Sequence, residues 1–300
     1  MAVRYPFGTV DFQRGLVEVA GTAFFVSSTH AQAEDSPSHG RTPEVPFATI
    51  DYAIGRCTAN NGDIIFVMPG HVETISSATS LVFDIAGVVV IGLGQGRTRP
   101  ILDFTNTAGS VEMDAANCRL SNVQLRANVS AVVVGINVDA HDVELDLLAW
   151  TFDATGDDFV TMIDVTTVNR THIHDCLFES ENAAGGAEAI NLTNTADTRI
   201  ENNTFRGNWS DAAIQNTTTL CTRLVIKGNV IYNSDTSVYN GIDVGTLSTT
   251  GIVANNRITA LYATTLTKIF RDGDLTSMDN FFANDVSERG SILVPATSSV

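Results

Sequence analysis

Ile200-Glu201-Asn202-Asn203-Thr204-Phe205 decides the fold, because the pattern returns along the chain. It comes back as Ile226-Lys227-Gly228-Asn229-Val230-Ile231 and as Val253-Ala254-Asn255-Asn256-Arg257-Ile258. Earlier copies are Leu120-Ser121-Asn122-Val123-Gln124-Leu125, Leu147-Leu148-Ala149-Trp150-Thr151-Phe152 and Ile173-His174-Asp175-Cys176-Leu177-Phe178. A weaker copy is Ser277-Met278-Asp279-Asn280-Phe281-Phe282. Each closes on a large apolar residue. The closing positions 125, 152, 178, 205, 231, 258 and 282 lie 27, 26, 27, 26, 27 and 24 residues apart. A sustained repeat of this length is the signature of a solenoid.

A second motif recurs inside each unit. It reads Gly135-Ile136-Asn137-Val138, Met162-Ile163-Asp164-Val165, Ala189-Ile190-Asn191-Leu192, Ala213-Ile214-Gln215-Asn216 and Gly241-Ile242-Asp243-Val244. Apolar and polar residues alternate, which is the period of a half-buried strand and not of a helix. Short strands stacked coil on coil predict an all-β, right-handed parallel β-helix. Asn203, Asn229, Asn256 and Asn280 fall at one place in successive coils. Stacked amides can satisfy one another along the axis, and Asn tolerates a sharp corner. In earlier coils Val123, Trp150 and Cys176 take that place, so the ladder is expected in the C-terminal half. At about 4.8 Å per coil, eight or nine coils make a rod about 40 Å long.

Composition agrees. The chain has 300 residues, 44% hydrophobic and 17% charged, which excludes disorder. Its net charge of −17 disfavours nucleic acid and anionic membranes as partners. No apolar run approaches the roughly 20 residues of a membrane helix. Cys57, Cys118, Cys176 and Cys221 form no CxxC pair, so free thiols and a reducing compartment are expected rather than zinc. Met1-Ala2-Val3-Arg4-Tyr5-Pro6-Phe7-Gly8 lacks the basic and apolar regions of a secretory signal. A role outside a cell would then require lysis or a dedicated route.

Four segments are expected. They are an N-terminal arm over 1–22, a first strand, loop and capping helix over 23–62, the β-helix over 63–285, and a tail over 286–300. In the capping segment Phe47, Ile50, Ile54 and Cys57 share a helical face, with Pro46 and Thr49 at its start. A strand and turn, Gly62 to Gly70, follow.

That capping stretch, Pro46 to Ile54, followed by the strand, resembles the start of the pectate-lyase-like β-helix superfamily. Arg4-Tyr5-Pro6-Phe7-Gly8 and Phe24-Phe25-Val26-Ser27-Ser28-Thr29 resemble phage virion proteins of that superfamily. The resemblance implies a virion structural protein, a spike or decoration on the capsid or tail. It implies folding in the host cytoplasm, a homotrimer, contacts with shell or tail proteins, and host polysaccharide as candidate ligand. The alternative it implies is a polysaccharide-degrading tailspike, a hydrolase or lyase. Enzymes of the superfamily use calcium-binding Asp residues with an Arg base, or clustered Asp with Gly-His-Gly. Neither pattern is found in the sequence, and no cofactor or metal site is expected.

The candidate site residues follow the closing positions, where they would line one flank. Asp158, Glu181 and Asp211 are the catalytic candidates, accompanied by Asp157 and Asp235. Trp209 and Tyr232 are the candidates for stacking on sugar rings. Carboxylates one coil apart would stand about 5 Å apart and those two coils apart about 10 Å, near the retaining and inverting glycosidase separations. The plainer account is solvated carboxylates on an acidic protein. His172 and His174 point to one face; one coil back predicts Asp146 and Leu148 beside them, one coil on Arg199 and Glu201. A His174–Glu201 pair is the simpler account, two metal ligands the sharper one. Gly92-Leu93-Gly94-Gln95-Gly96 reads as a turn.

Overall fold

A computed structural model describes residues 3–5, 8–10, 21–180, 186–216, 219–235, 240–244, 249–260, 270–272, 274–284 and 291–292. Three long sheets wrap one core. We call them sheets I, II and III, of 10, 10 and 8 strands. Each coil runs through I, II and III in turn, as in Arg199–Glu201, Thr204–Gly207 and Ala212–Gln215. Strands pair in parallel with those one coil away. The path is the right-handed parallel β-helix that the repeat predicts.

The alternation places one apolar column per sheet inside. Sheet I contributes Leu120, Leu145, Ile173, Ile200, Ile226 and Val253, and sheet III contributes Val111, Ile136, Ile163, Ile190, Ile214 and Ile242. Burying each such side chain stabilises the fold by roughly 1.5–3 kcal/mol relative to exposure. In sheet II aromatic rings stack along the axis. Phe178 and Phe205 lie parallel with centroids 4.5 Å apart, and Trp150 stacks on Phe178 at 5.9 Å.

The sheet II register corrects the sequence alignment in one coil. Leu125 pairs with Trp150, and Ala149 with Leu177, so the closing residue there is Trp150 and not Phe152. Trp150 is fully buried, whereas Phe152 is only half-buried. Both face the same side because strand side chains repeat every two residues, which is why the slip escaped notice. The residue replacing Asn in that coil is therefore Leu148, not Trp150.

The corner between sheets I and II is built from two adjacent residues per coil. Asn122, Leu147, Asp175, Asn202, Gly228, Asn255 and Asp279 turn it with φ between 49° and 71°. The ladder residue comes next, so the left-handed position belongs to its predecessor, not to the ladder Asn as expected. Asn203 Nδ2 donates to Ile173 O, and its Oδ1 accepts from Cys176 N. Asn229 and Asn256 repeat both bonds one coil further on. Asn280 ends the series, donating to Val253 O and accepting from Asn256 N.

At the N-terminal end, Thr49 caps a helix, Ile50–Ile54, by accepting from Tyr52 N. Phe47, Ile50, Ala53 and Ile54 are buried against the first coil. The strand Ala23–Val26 pairs with Ile64–Val67, so sheet I already begins there. Glu73, buried, accepts from Ile50 N and from His71, which ties the helix to the coil. Val3–Tyr5 and Gly8–Val10 form an antiparallel hairpin. At the other end, Ser291–Ile292 runs antiparallel to Phe281–Asn284 and covers the sheet II edge. The four cysteines are free, and three of them are buried. Burial pushes the Cys57 thiol up to about 12.

Candidate functional site

The outward face of sheet III carries a row of carboxylates and amides. Glu112, Asn137, Asp164, Asn191, Gln215 and Asp243 occupy one register position in six successive coils. They stand about 4.8 Å apart along the rod. Asn137 Nδ2 donates to Glu112 Oε2 at 3.0 Å, and Asn191 Nδ2 to Asp164 Oδ1 at 2.9 Å. Ser110 also donates to Glu112. A groove of about 400 Å³ opens on this row, lined by Glu112, Asn137, Asp164, Val133 and the turn Thr107–Ser110. Val133 is 58% exposed and offers an apolar surface beside the polar row.

The face is strongly acidic. No Lys or Arg occurs in sheet III strands from Leu81 to Val244. Burial raises the Asp164 pKa, with bonds from Asn191 and Thr166 opposing it and Asp139 adding to it. Burial likewise raises Glu188, against a hydrogen bond from Thr161 and with help from Asp211 and Asp164. Asp114 is raised by burial, then by Asp139 and Asp84. Of the three, Asp164 lines the groove, and its rise makes a proton easier to hold there.

Among the described residues, two groups bring metal-ligating atoms together. One oxygen each from Glu112, Asp114 and Asp139 lie within 4.8 Å of one another, an all-oxygen set of the kind hard cations take. Glu144, Asp146 and His174 form the second group. Asp146 there is already held by both Arg119 nitrogens and by Ser121.

On the following coil the histidines stand as expected, His172 beside Arg199 and His174 beside Glu201, but the preceding coil differs. Glu144 lies beside His172, and Asp146 beside His174, because that coil is longer than the mean repeat. His172 bonds Glu201 at 3.1 Å, while His174 bonds Glu144 at 3.1 Å and Asp175 at 2.8 Å. The rings are 4.1 Å apart. Burial and its neighbour hold His172 below the usual imidazole range. Burial also pulls His174 down, but its bonds to Asp175 and Glu144 outweigh this and raise it.

Of the residues expected on the flank, the structure separates most. Trp209 is fully buried against Phe205, so it is a core residue and not a sugar platform. Asp158 is buried at the turn from sheet II into sheet III and accepts from Ser180 Oγ at 2.6 Å. Asp211 is exposed beside sheet III, near Glu188. Tyr232 is exposed, but on sheet II. Asp157 is half-buried and Asp235 buried. Glu181 lies outside the described residues. Apart from Glu112, the sheet III row is the polar residue of the second motif, where alternation signals a strand and not a site.

No family model and no curated protein matches the chain. Among solved structures it is similar to pectate lyase Pel9A, with a TM-score of 0.50 and 13% identity over 90% of this chain and 79% of that one. It is also similar to the pectin methylesterase from Aspergillus niger, with a TM-score of 0.52 and 14% identity over 88% and 86%. These likenesses show the pectate-lyase-like β-helix fold. A Geobacillus virus E2 protein, ORF18, aligns over 87% of this chain and 61% of that one at 10% identity, with a TM-score of 0.36, too low to argue from.

Proposed function

We propose that the chain is a structural protein of a phage particle, a β-helical spike or decoration on the capsid or tail that holds host-surface glycan along sheet III. The observation that carries the glycan reading is the row from Glu112 to Gln215. Amides and carboxylates at one-coil spacing present donors and acceptors to successive hydroxyl groups of an extended polymer. The cation-poor face favours an uncharged glycan over a uronate. The resemblance of the opening stretches to phage virion proteins supports the particle role.

Two measurements test this. The first is glycan binding by the full chain, comparing neutral with acidic polysaccharides. Binding of a neutral polymer that Asn137→Ala and Asp164→Ala weaken supports the site; binding unaffected by both overturns it. The second is the copy number of the chain in purified particles. Many copies, comparable with the shell, identify a decoration, and a few identify a spike. Absence of the chain from particles overturns the role.

A second reading, a polysaccharide hydrolase, is favoured by Asp164 alone. Its raised pKa suits a general acid, and Glu112 stands two coils away, roughly 10 Å by coil spacing and near the inverting separation. Cleavage lost in both Asp164→Asn and Glu112→Gln would establish that reading.

A further inference from the structure

Sheet I carries a cluster of ligating atoms of its own, apart from the sheet III row. The strand Glu144–Asp146 pairs with His172–His174 one coil on. One ligand atom from each of Glu144, Asp146 and His174 lie within 4.8 Å of one another. Leu145 and Ile173, between these residues, are buried in the core, so strand alternation turns all three ligating side chains outward.

The contacts of His174 leave it one proton short. Asp175 Oδ2 stands 2.8 Å from its Nδ1, and Glu144 Oε1 stands 3.1 Å from its Nε2. A carboxylate only accepts, and a neutral imidazole has one N–H to give. With Nδ1 donating to Asp175, the Nε2 lone pair faces the Glu144 oxygen. Only a second proton or a metal ion between the two atoms resolves that contact. Two ligand atoms held at about 2.0–2.1 Å by one tetrahedral ion stand about 3.3 Å apart, close to the separation seen. Asp146 also has room for one more partner. Arg119 donates once to each of its oxygens, and Ser121 donates to Oδ2. A carboxylate offers about four lone-pair sites, so one remains on Oδ1.

We infer that Glu144, Asp146 and His174 bind a divalent transition-metal ion of the zinc type, which clips two successive coils together on the outside of sheet I. A nitrogen with two carboxylate oxygens selects such an ion over calcium or magnesium, which take oxygen ligands. Asp175 fixes the ring through its far nitrogen, and Arg119 and Ser121 fix Asp146. Partners of this kind orient the ligands of metal sites. The Glu144 side chain is 39% exposed, so the fourth position of the ion opens to solvent. His172 is not a ligand, because its Nε2 is engaged with Glu201, which Arg199 holds in turn.

Calorimetric titration of the full chain with zinc chloride tests the inference. The expected result is one site of micromolar affinity. His174→Ala and Glu144→Gln should each weaken it by about tenfold or more, and Asp175→Asn, a change to a positioning residue, by about tenfold. Zinc should raise the melting temperature of the parent chain and not that of His174→Ala, since an ion that binds only the folded chain stabilises it. Cobalt(II) in place of zinc should give visible bands without the near-ultraviolet charge transfer of a thiolate, which separates this site from the cysteines. Glu112→Gln alters the all-oxygen group on sheet III and should leave zinc affinity unchanged. Absence of zinc binding below millimolar concentration overturns the inference. So does a site that survives both His174→Ala and Glu144→Gln in folded protein, or one that Glu112→Gln abolishes instead. Should His174→Ala fail to fold, Glu144→Gln, which preserves the shape of an exposed side chain, decides.

Discussion

The corner between sheets I and II is solved in two ways along one rod. From Asn203 to Asn280 it is filled by a hydrogen-bonded amide column. From Val123 through Leu148 to Cys176 it is filled by apolar side chains, all buried. The aromatic stack beside it is also uneven: Trp150, Phe178 and Phe205 give way to Ile231 and Ile258. A corner can therefore close by polar satisfaction or by packing, and the backbone path is the same. The amides add specificity of register, since each reaches a carbonyl and an amide of the preceding coil. The apolar half relies on volume.

The largest effect should come from emptying the packed half. Trp150→Ala should cost about 3–5 kcal/mol, read from urea unfolding. A cost below about 1 kcal/mol would mean that packing does not hold that half. Next is Asn229→Leu, which leaves Asn203 N without its acceptor and Ile200 O without its amide donor. About 3 kcal/mol is expected, since each buried unpaired group costs roughly 1–3 kcal/mol. Loss of protection in hydrogen exchange should centre on the neighbouring coils, because solenoid stability is a sum over neighbours.

Leu147 offers a smaller test in the opposite direction. It holds φ 55°, where Asn122, Asn202 and Asn255 serve in other coils. Leu147→Asn should stabilise by up to about 1 kcal/mol, because the left-handed region costs a branched side chain roughly that much. The smallest effect concerns pH. The amide column does not titrate, whereas the packed half carries Asp114 and Asp164, whose pKa values are raised in the fold. A raised carboxylate stabilises below its unfolded pKa, and that contribution is lost as pH rises through the folded value. Asp164→Asn should therefore raise the melting temperature at neutral pH and change it little well below the unfolded Asp pKa. An equal rise at both would sever the effect from titration.

The third corner, between sheets III and I, was not anticipated at all. Asp142, Arg170, Asp197 and Arg223 occupy it in consecutive coils with φ between 55° and 61°. Arg170 binds Asp142 and Arg223 binds Asp197, each through two nitrogens. Asp142 and Asp197 suit the left-handed position as Asn117 does one coil earlier, whereas Arg170 and Arg223 depart from the usual preference and are held by their ion pairs.

The sequence by itself determined the solenoid, its strand motifs and the amide column, because these are local patterns repeated until chance is excluded. The column needs no tertiary information beyond a constant coil length, and from Cys176 onward that length is nearly constant. Tertiary structure decided what depends on coils of unequal length. The closing residues 102, 125, 150 and 178 lie 23, 25 and 28 residues apart, so subtracting a mean repeat misplaces the partners of His172 and His174 in the preceding coil, whereas adding one reaches Arg199 and Glu201. A two-residue slip leaves every side chain on its own face, so the strand period could not choose Trp150 over Phe152. Burial of Trp209 and Asp158, which lie between sheet II and sheet III strands, is decided by tertiary packing, and only the stacked coils joined Glu112, Asn137 and Asp164 into one face.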